Sequence, residues 1–140
     1  MKDMLNLVHP VRAISPVSVA DTTAQVSAIV DRQGYEGLTF LIAIGAVADP
    51  DATFTVHLDH GSAADLSDSA LVPAVDLLGT TTLAGFRFDD DNETRKIGYR
   101  GIKRYVRLTI TPVNNAAAAL ISATALLGHP ALVPTANPPV

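Results

Sequence analysis

Two stretches of this chain place an apolar side chain at every second position, and that spacing constrains the fold more than anything else in the sequence. Phe54, Val56 and Leu58 alternate with Thr53, Thr55, His57 and Asp59. Val106, Leu108 and Ile110 alternate with Tyr105, Arg107, Thr109 and Thr111. A period of two puts all the apolar groups of a stretch on one face of a strand, whereas a helix would scatter them around its axis. Each stretch has one face for a core and one for water.

The remaining text is punctuated to match. Asp31-Arg32-Gln33-Gly34, Asp49-Pro50-Asp51, Asp89–Asn92, Gly101 and Pro112-Val113-Asn114-Asn115 are turn signals, the last read as a hairpin-type connection. Between them, strands are predicted near 17–20, 22–30, 38–44, 53–59, 75–78, 86–88, 95–100, 105–111 and 117–127. In the second, Val26, Ala28 and Val30 share a face. Leu38–Ile44 is apolar on both faces, which suits a central strand or one covered by a partner. Ala117–Leu127 has the alanines of a helix, but its mix of β-branched and small residues favours a strand. The expected fold is all-β: one domain of about seven or eight short antiparallel strands, a β-sandwich or jelly roll over residues 21–128. Pro10 and Pro16 forbid a continuous helix over residues 1–20, which reads as an extended N-terminal arm. Four prolines make residues 129–140 an extended C-terminal tail.

The 140 residues suffice for a core without staples. With no cysteine there is no disulfide or thiolate chemistry. Charged residues are 17% of the chain against a usual ~25%, so part of its surface is expected to be covered by neighbours. The net charge of −4 gives no reason to expect nucleic acid. No signal peptide and no apolar run of membrane length is read, so no membrane contact is expected.

No chemistry-bearing motif stands up. His57 and His60 lie three apart, but on a strand His57 and Asp59 share a face while His60 points the other way, so no metal site is expected. Asp89-Asp90-Asp91-Asn92-Glu93 has the opening of a calcium loop, yet Thr94 stands where glycine is needed and Arg100 where glutamate is needed. It reads as a solvated acidic loop. Neither a nucleophile elbow nor a phosphate loop is present, and catalysis and cofactors are not expected. With no tryptophan and 5% aromatics, a sugar-binding sandwich is disfavoured. Six of the ten basic residues, Arg95, Lys96, Arg100, Lys103, Arg104 and Arg107, fall within thirteen positions. They read either as a charged edge strand that resists wrong pairing, or as a basic edge pairing with an acidic neighbour surface. With Leu41 of the both-faced strand, and Val17 and Val19 of the arm, they are the candidate interface residues.

Ile29–Phe40, Asp89–Tyr99, Lys103–Pro112 and Ala-Leu-Leu-Gly-His-Pro at 125–130 resemble stretches of small accessory head proteins of tailed bacteriophages and prophages. The resemblance covers about residues 22–130. It implies a decoration or cement protein on the capsid exterior, made in the host cytoplasm, often a homotrimer, whose partner is the major capsid protein. A neck, head-completion or tail-associated protein, and a carbohydrate-binding β-sandwich, are the alternatives. On this reading, deleting residues 1–20 weakens attachment more than folding.

Overall fold

A computed structural model describes residues 2–139. Eleven strands form two antiparallel sheets. They are β1 (Val8–Val19), β2 (Gln25–Val26), β3 (Val30–Asp31), β4 (Tyr35–Val47), β5 (Thr53–Gly61), β6 (Ala70–Leu71), β7 (Leu77–Leu78), β8 (Phe86–Arg87), β9 (Thr94–Tyr99), β10 (Tyr105–Val113) and β11 (Ala119–Pro130). One helical turn, α1 (Thr81–Ala84), precedes β8. The five-stranded sheet runs β1-β11-β4-β9-β7. The second sheet runs β2-β10-β5-β6, with β3 also on β10 and β8 also on β5. The chain is therefore an all-β sandwich, as the alternation predicts.

The core lies between the sheets. Leu38, Phe40 and Ile42 of β4, Ile97 and Tyr99 of β9, and Ala123, Ala125 and Leu127 of β11 face Phe54, Val56 and Leu58 of β5 and Val106, Leu108 and Ile110 of β10. Phe54 and Phe86 stack with ring centroids 4.5 Å apart. Each large side chain so buried stabilises the fold by about 1.5–3 kcal/mol. Leu38–Ile44 does lie in an inner strand, β4, between β11 and β9.

The strand expected at 117–127 is β11, which begins at Ala119 and is not reached by the hairpin expected. β10 and β11 lie in different sheets, so residues 114–118 cross the end of the sandwich. Asn114 takes a left-handed φ of 55° there. Buried Asn115 donates from Nδ2 to the carbonyls of Val19 and Asp21, 3.0 and 3.1 Å away, tying the crossing to the end of β1.

The arm expected over residues 1–20 is not an arm. Residues 8–19 are β1, paired with β11 from Val8 opposite Gly128 to Val19 opposite Ala119. Ala13, Ile14 and Val19 are buried in the core. Proline excludes a helix and a central strand but not an edge strand, where one row of backbone groups needs no partner. The register slips between Arg12 and Ile14 and again between Ile14 and Val17, and Pro16 sits within the second irregularity. These slips erase the period of two that would have announced the strand.

The boundary expected at residue 129 also moves. β11 runs to Pro130, and the tail folds back: Ala131 N donates to Gly34 O, Thr135 N to Asn6 O at 3.0 Å, and Thr135 Oγ1 to Val8 O at 2.6 Å. The single strand expected at 22–30 is two short ones. At Ser27 the hydroxyl, not the carbonyl, accepts the Leu108 N–H (2.9 Å), and Ala28 N donates instead to Ala13 O of the other sheet. Val26 is consequently exposed and Val30 buried.

Candidate interaction surfaces

The outer faces of the two sheets differ sharply. On the five-stranded sheet, the positions between the buried ones point outward: Thr39, Leu41 and Ala43 on β4, Leu120, Ser122, Thr124 and Leu126 on β11, and Thr94 and Lys96 on β9. Cross-strand pairing lines up Arg12, Thr124, Leu41 and Lys96 as one row across four strands. Leu41 is 40% and Leu120 47% exposed. Close contacts flatten this face: Leu120 lies over Gly45 and Leu78 over Gly98, where a Cβ would collide with either leucine. β1, β9 and β11 contain no acidic residue, and β4 has only Glu36, at its start. A chain with fourteen carboxylates thus keeps one broad face free of them, carrying Arg12 and Lys96 instead.

The second sheet is polar outside. Asp59 lies across from Arg107, and its Oδ2 is 3.7 Å from Arg107 Nη2 and 3.6 Å from His57 Nε2. Thr55, Thr109 and Thr111 continue this face. His60 points inward, as its parity requires, and its Nδ1 is 2.8 Å from the Tyr99 hydroxyl.

The six clustered cations do not form a basic edge. Arg95 and Lys96 sit on the stretch of β9 that pairs with β4 alone, Arg107 sits on β10 of the other sheet, and Arg100, Lys103 and Arg104 lie in the connection between the two strands. A run close in sequence is split because β9 and β10 cross from one sheet to the other. Most also have partners within the chain. Arg95 pairs with Asp90 and Glu93. Arg100 Nε donates to Val75 O (2.9 Å). Arg104 grips Asp31 through Nε and Nη2, both at 2.8 Å, and this bond holds the Asp31 carboxyl below the usual carboxylate range. Only Lys96 belongs to the outer face with Leu41. Val17 packs against the core and Val19 is 3% exposed, so neither is presented to a partner.

Sequence reasoning missed Arg12, Leu120 and Leu126, which share the face with Leu41 and Lys96. The outward parity of the two leucines was available in residues 119–127, whereas that of Arg12 was hidden by the slips of β1. The adjacency of β11 to β4 on one side and β1 on the other was not available in the sequence.

The 100–104 connection is braced from below. The Tyr99 hydroxyl accepts the Lys103 N–H (3.0 Å) and bonds His60. Arg32 lies over the Tyr99 ring, 5.2 Å from its centroid, and donates to Lys103 O (2.6 Å) and Gly101 O (2.8 Å). Burial pushes the Tyr99 phenol above its ordinary pKa. At the crest of this connection Ile102 is 92% exposed.

Negative charge is most concentrated at one end of the strand axis. The end where β1 and β4 finish and β9 begins carries Asp21, Asp49, Asp51, Asp89, Asp90, Asp91 and Glu93 against Arg87 and Arg95. Seven carboxylates less two guanidinium groups leave −5, more than the −4 of the whole chain. The carboxylates of Asp89–Glu93 are engaged locally: Asp89 with Arg87, Asp90 with the Arg87 N–H and with Arg95, Asp91 with the Val47 N–H, and Glu93 with Arg95. Among the described residues no three His, Asp or Glu side chains converge as a metal site.

No family model and no curated protein matches the sequence. Solved structures do share the fold. The PBSX exported protein XepA superposes with a TM-score of 0.55 at 12% identity over 91% of this chain, which spans only 39% of that protein. A chain of the capsid of Ralstonia phage GP4 gives 0.51 at 9% identity, covering 91% of this chain and 88% of that one. A non-crystalline cellulose specific carbohydrate-binding module, CBM28, gives 0.47 at 11% identity over 78% of this chain and 69% of that one. At these identities the likeness to the first two is one of fold.

Proposed function

We propose that this chain is a structural, non-catalytic protein of a phage particle, which decorates the capsid by laying the outer face of its five-stranded sheet on the major capsid protein shell. The observation that carries this reading is the carboxylate-free face with its row Arg12–Thr124–Leu41–Lys96. A flat patch with exposed leucines and little charge costs solubility unless something covers it. Its two cations suit an acidic partner and would set register more than affinity. The sandwich shared with a chain of the Ralstonia phage GP4 capsid, and with the PBSX protein, accords with a place in or on a phage particle. Copies repeated over a shell turn a modest contact into a firm one, because the shell presents the same site many times.

The test mixes purified protein with heads assembled without it and images them. Wild-type protein adds regular density, and Leu41→Glu reduces occupancy about tenfold at unchanged thermal stability, since Leu41 lies outside the core. Bare heads after incubation with wild-type protein overturn the reading. A copy number of a dozen or fewer per native particle moves the protein to the neck or tail.

The polar outer face of the second sheet favours one other reading, a carbohydrate-binding module, because His57, Asp59, Arg107, Thr55 and Thr111 offer hydrogen bonds to sugar hydroxyls. Tyr105 is the one aromatic residue there, and Arg104 lies over its ring at 5.0 Å, so a stacking platform is lacking. Reproducible binding on a glycan array, lost in Asp59→Asn, would establish it.

A further inference from the structure

We infer that the free edge of β9 takes up an extended segment of the shell protein as an added strand, seated in the cleft between β7 and α1. This rests on the capsid-binding reading above and names the part of the partner that the sheet holds. Three observations carry it.

The first is the direction of the backbone. Ile44 N donates to Glu93 O (2.9 Å), so by alternation Arg95, Ile97 and Tyr99 also turn their N–H and carbonyl groups toward β4. Thr94, Lys96 and Gly98 turn theirs the other way. On that side β7 pairs only with Gly98 and Tyr99, because the chain turns away at Gly79, whose φ is a left-handed 85°. Thr94 O accepts from Arg95 Nη1 (3.2 Å). The N–H and carbonyl of Lys96 meet no backbone partner among the described residues. The opposite edge of this sheet, β1, is blunted by Pro10, Pro16 and two register slips. β9 has neither a proline nor a slip.

The second is shape. A cleft of about 480 Å³ lies against this edge, lined by Leu78 of β7 and Leu83 of α1 together with Thr39, Lys96 and Gly98. The two leucines are 51% and 71% exposed. With β7 and α1 flanking it, the cleft suits one extended chain. The edge of a second copy would bring its own sheet against both. Backbone groups that lack partners, set beside apolar walls, are what an added strand uses for affinity and for side-chain selection.

The third is charge. Arg95 and Lys96 line the cleft and no carboxylate does. Arg95 is matched by Asp90 and Glu93, and Asp76 lies opposite Arg100, past Gly98 and outside the cleft. Lys96 makes no ion pair among the described residues. The segment that fits therefore has an acidic residue near Lys96 and apolar residues at alternate positions to meet the leucines. Lys96 and Thr39 also belong to the outer face that the shell covers, so one partner reaches both.

The test follows amide exchange by NMR in the full chain, alone and with each of a set of overlapping synthetic peptides spanning the shell protein of its phage. Alone, the Lys96 N–H exchanges about a hundredfold faster than those of Arg95 and Ile97, which bond β4. One peptide slows it about tenfold. Binding of that peptide, followed at the Gly98 amide, is about tenfold weaker in Leu83→Asp and in Lys96→Pro, while Lys96→Thr, which keeps the N–H, loses less. Proline is tolerated on an edge whose N–H faces water, and should Lys96→Pro not fold, Leu83→Asp, which lies outside the core, decides alone. The inference is overturned if Lys96 is already protected in the free chain, if no peptide slows its exchange, or if Leu83→Asp binds that peptide like wild type. Heads that are decorated while no peptide binds leave the outer-face reading standing and remove this one. Heads that stay bare while a peptide protects Lys96 do the reverse.

Discussion

At the scale of single residues, Tyr99 joins the parts. Its ring is core, its hydroxyl holds the Lys103 N–H, and His60 and Arg32 depend on it for position. Tyr99→Phe leaves the part-buried Lys103 N–H without its acceptor, and a loss of about 1 kcal/mol in urea unfolding is expected. The pH dependence has a definite sign. Burial raises the folded-state pKa of Tyr99 above its unfolded value of about 10. The stability this represents is whole below pH 10, where both states are neutral, and is lost as pH rises through the folded-state pKa. Alkaline denaturation followed by circular dichroism should therefore be less steep in Tyr99→Phe than in wild type above pH 10. The inward direction of Tyr99 was legible from the parity of β9. Its bond to His60, thirty-nine residues away, was not, because no local pattern encodes which buried hydroxyl meets which ring.

At the scale of elements, legibility followed regularity. β5 and β10 keep an unbroken period of two, and their cores read directly from the sequence. β1 does not: its two slips shift the inward parity twice within seven residues, and its prolines suggest an arm. The same holds at 25–31, where a serine hydroxyl stands in for a backbone group. The consequence for β1 is testable. Deleting residues 1–20 removes Ala13, Ile14 and Val19 from the core and strips one of the two partners of β11 from Ala119 to Gly128. Burying an Ile and a Val alone is worth about 1.5–3 kcal/mol each, a large part of the stability of a domain this size. The truncated chain should show no cooperative thermal transition, or should aggregate through the bared edge of β11. A truncated protein that melts within a few degrees of wild type would restore the arm.

At the scale of the whole molecule, the hidden fact was neighbourhood. The outward leucines of β4 and β11 and the cations of β1 and β9 make one face only because β1 pairs with β11 across the length of the chain. Val8 meets Gly128, a separation of 128 − 8 = 120 residues. That pairing also governs how the sandwich closes. Bringing 120 residues into a loop costs entropy before any contact across β1 and β11 returns it, and such non-local pairings slow folding. The termini are already adjacent, since Thr135 bonds Asn6 and Val8. A circular permutant joining residue 139 to residue 2 through a few glycines, and opened between Leu78 and Gly79, would turn this closure into one of about 20 residues. The logarithmic cost of closure then falls by about 1.5 kcal/mol. Stopped-flow refolding should be faster in the permutant if β1 docks on β11 at the rate-limiting step. An unchanged refolding rate with slower unfolding would place that docking after the barrier, with β4, β5, β9 and β10 forming the nucleus first.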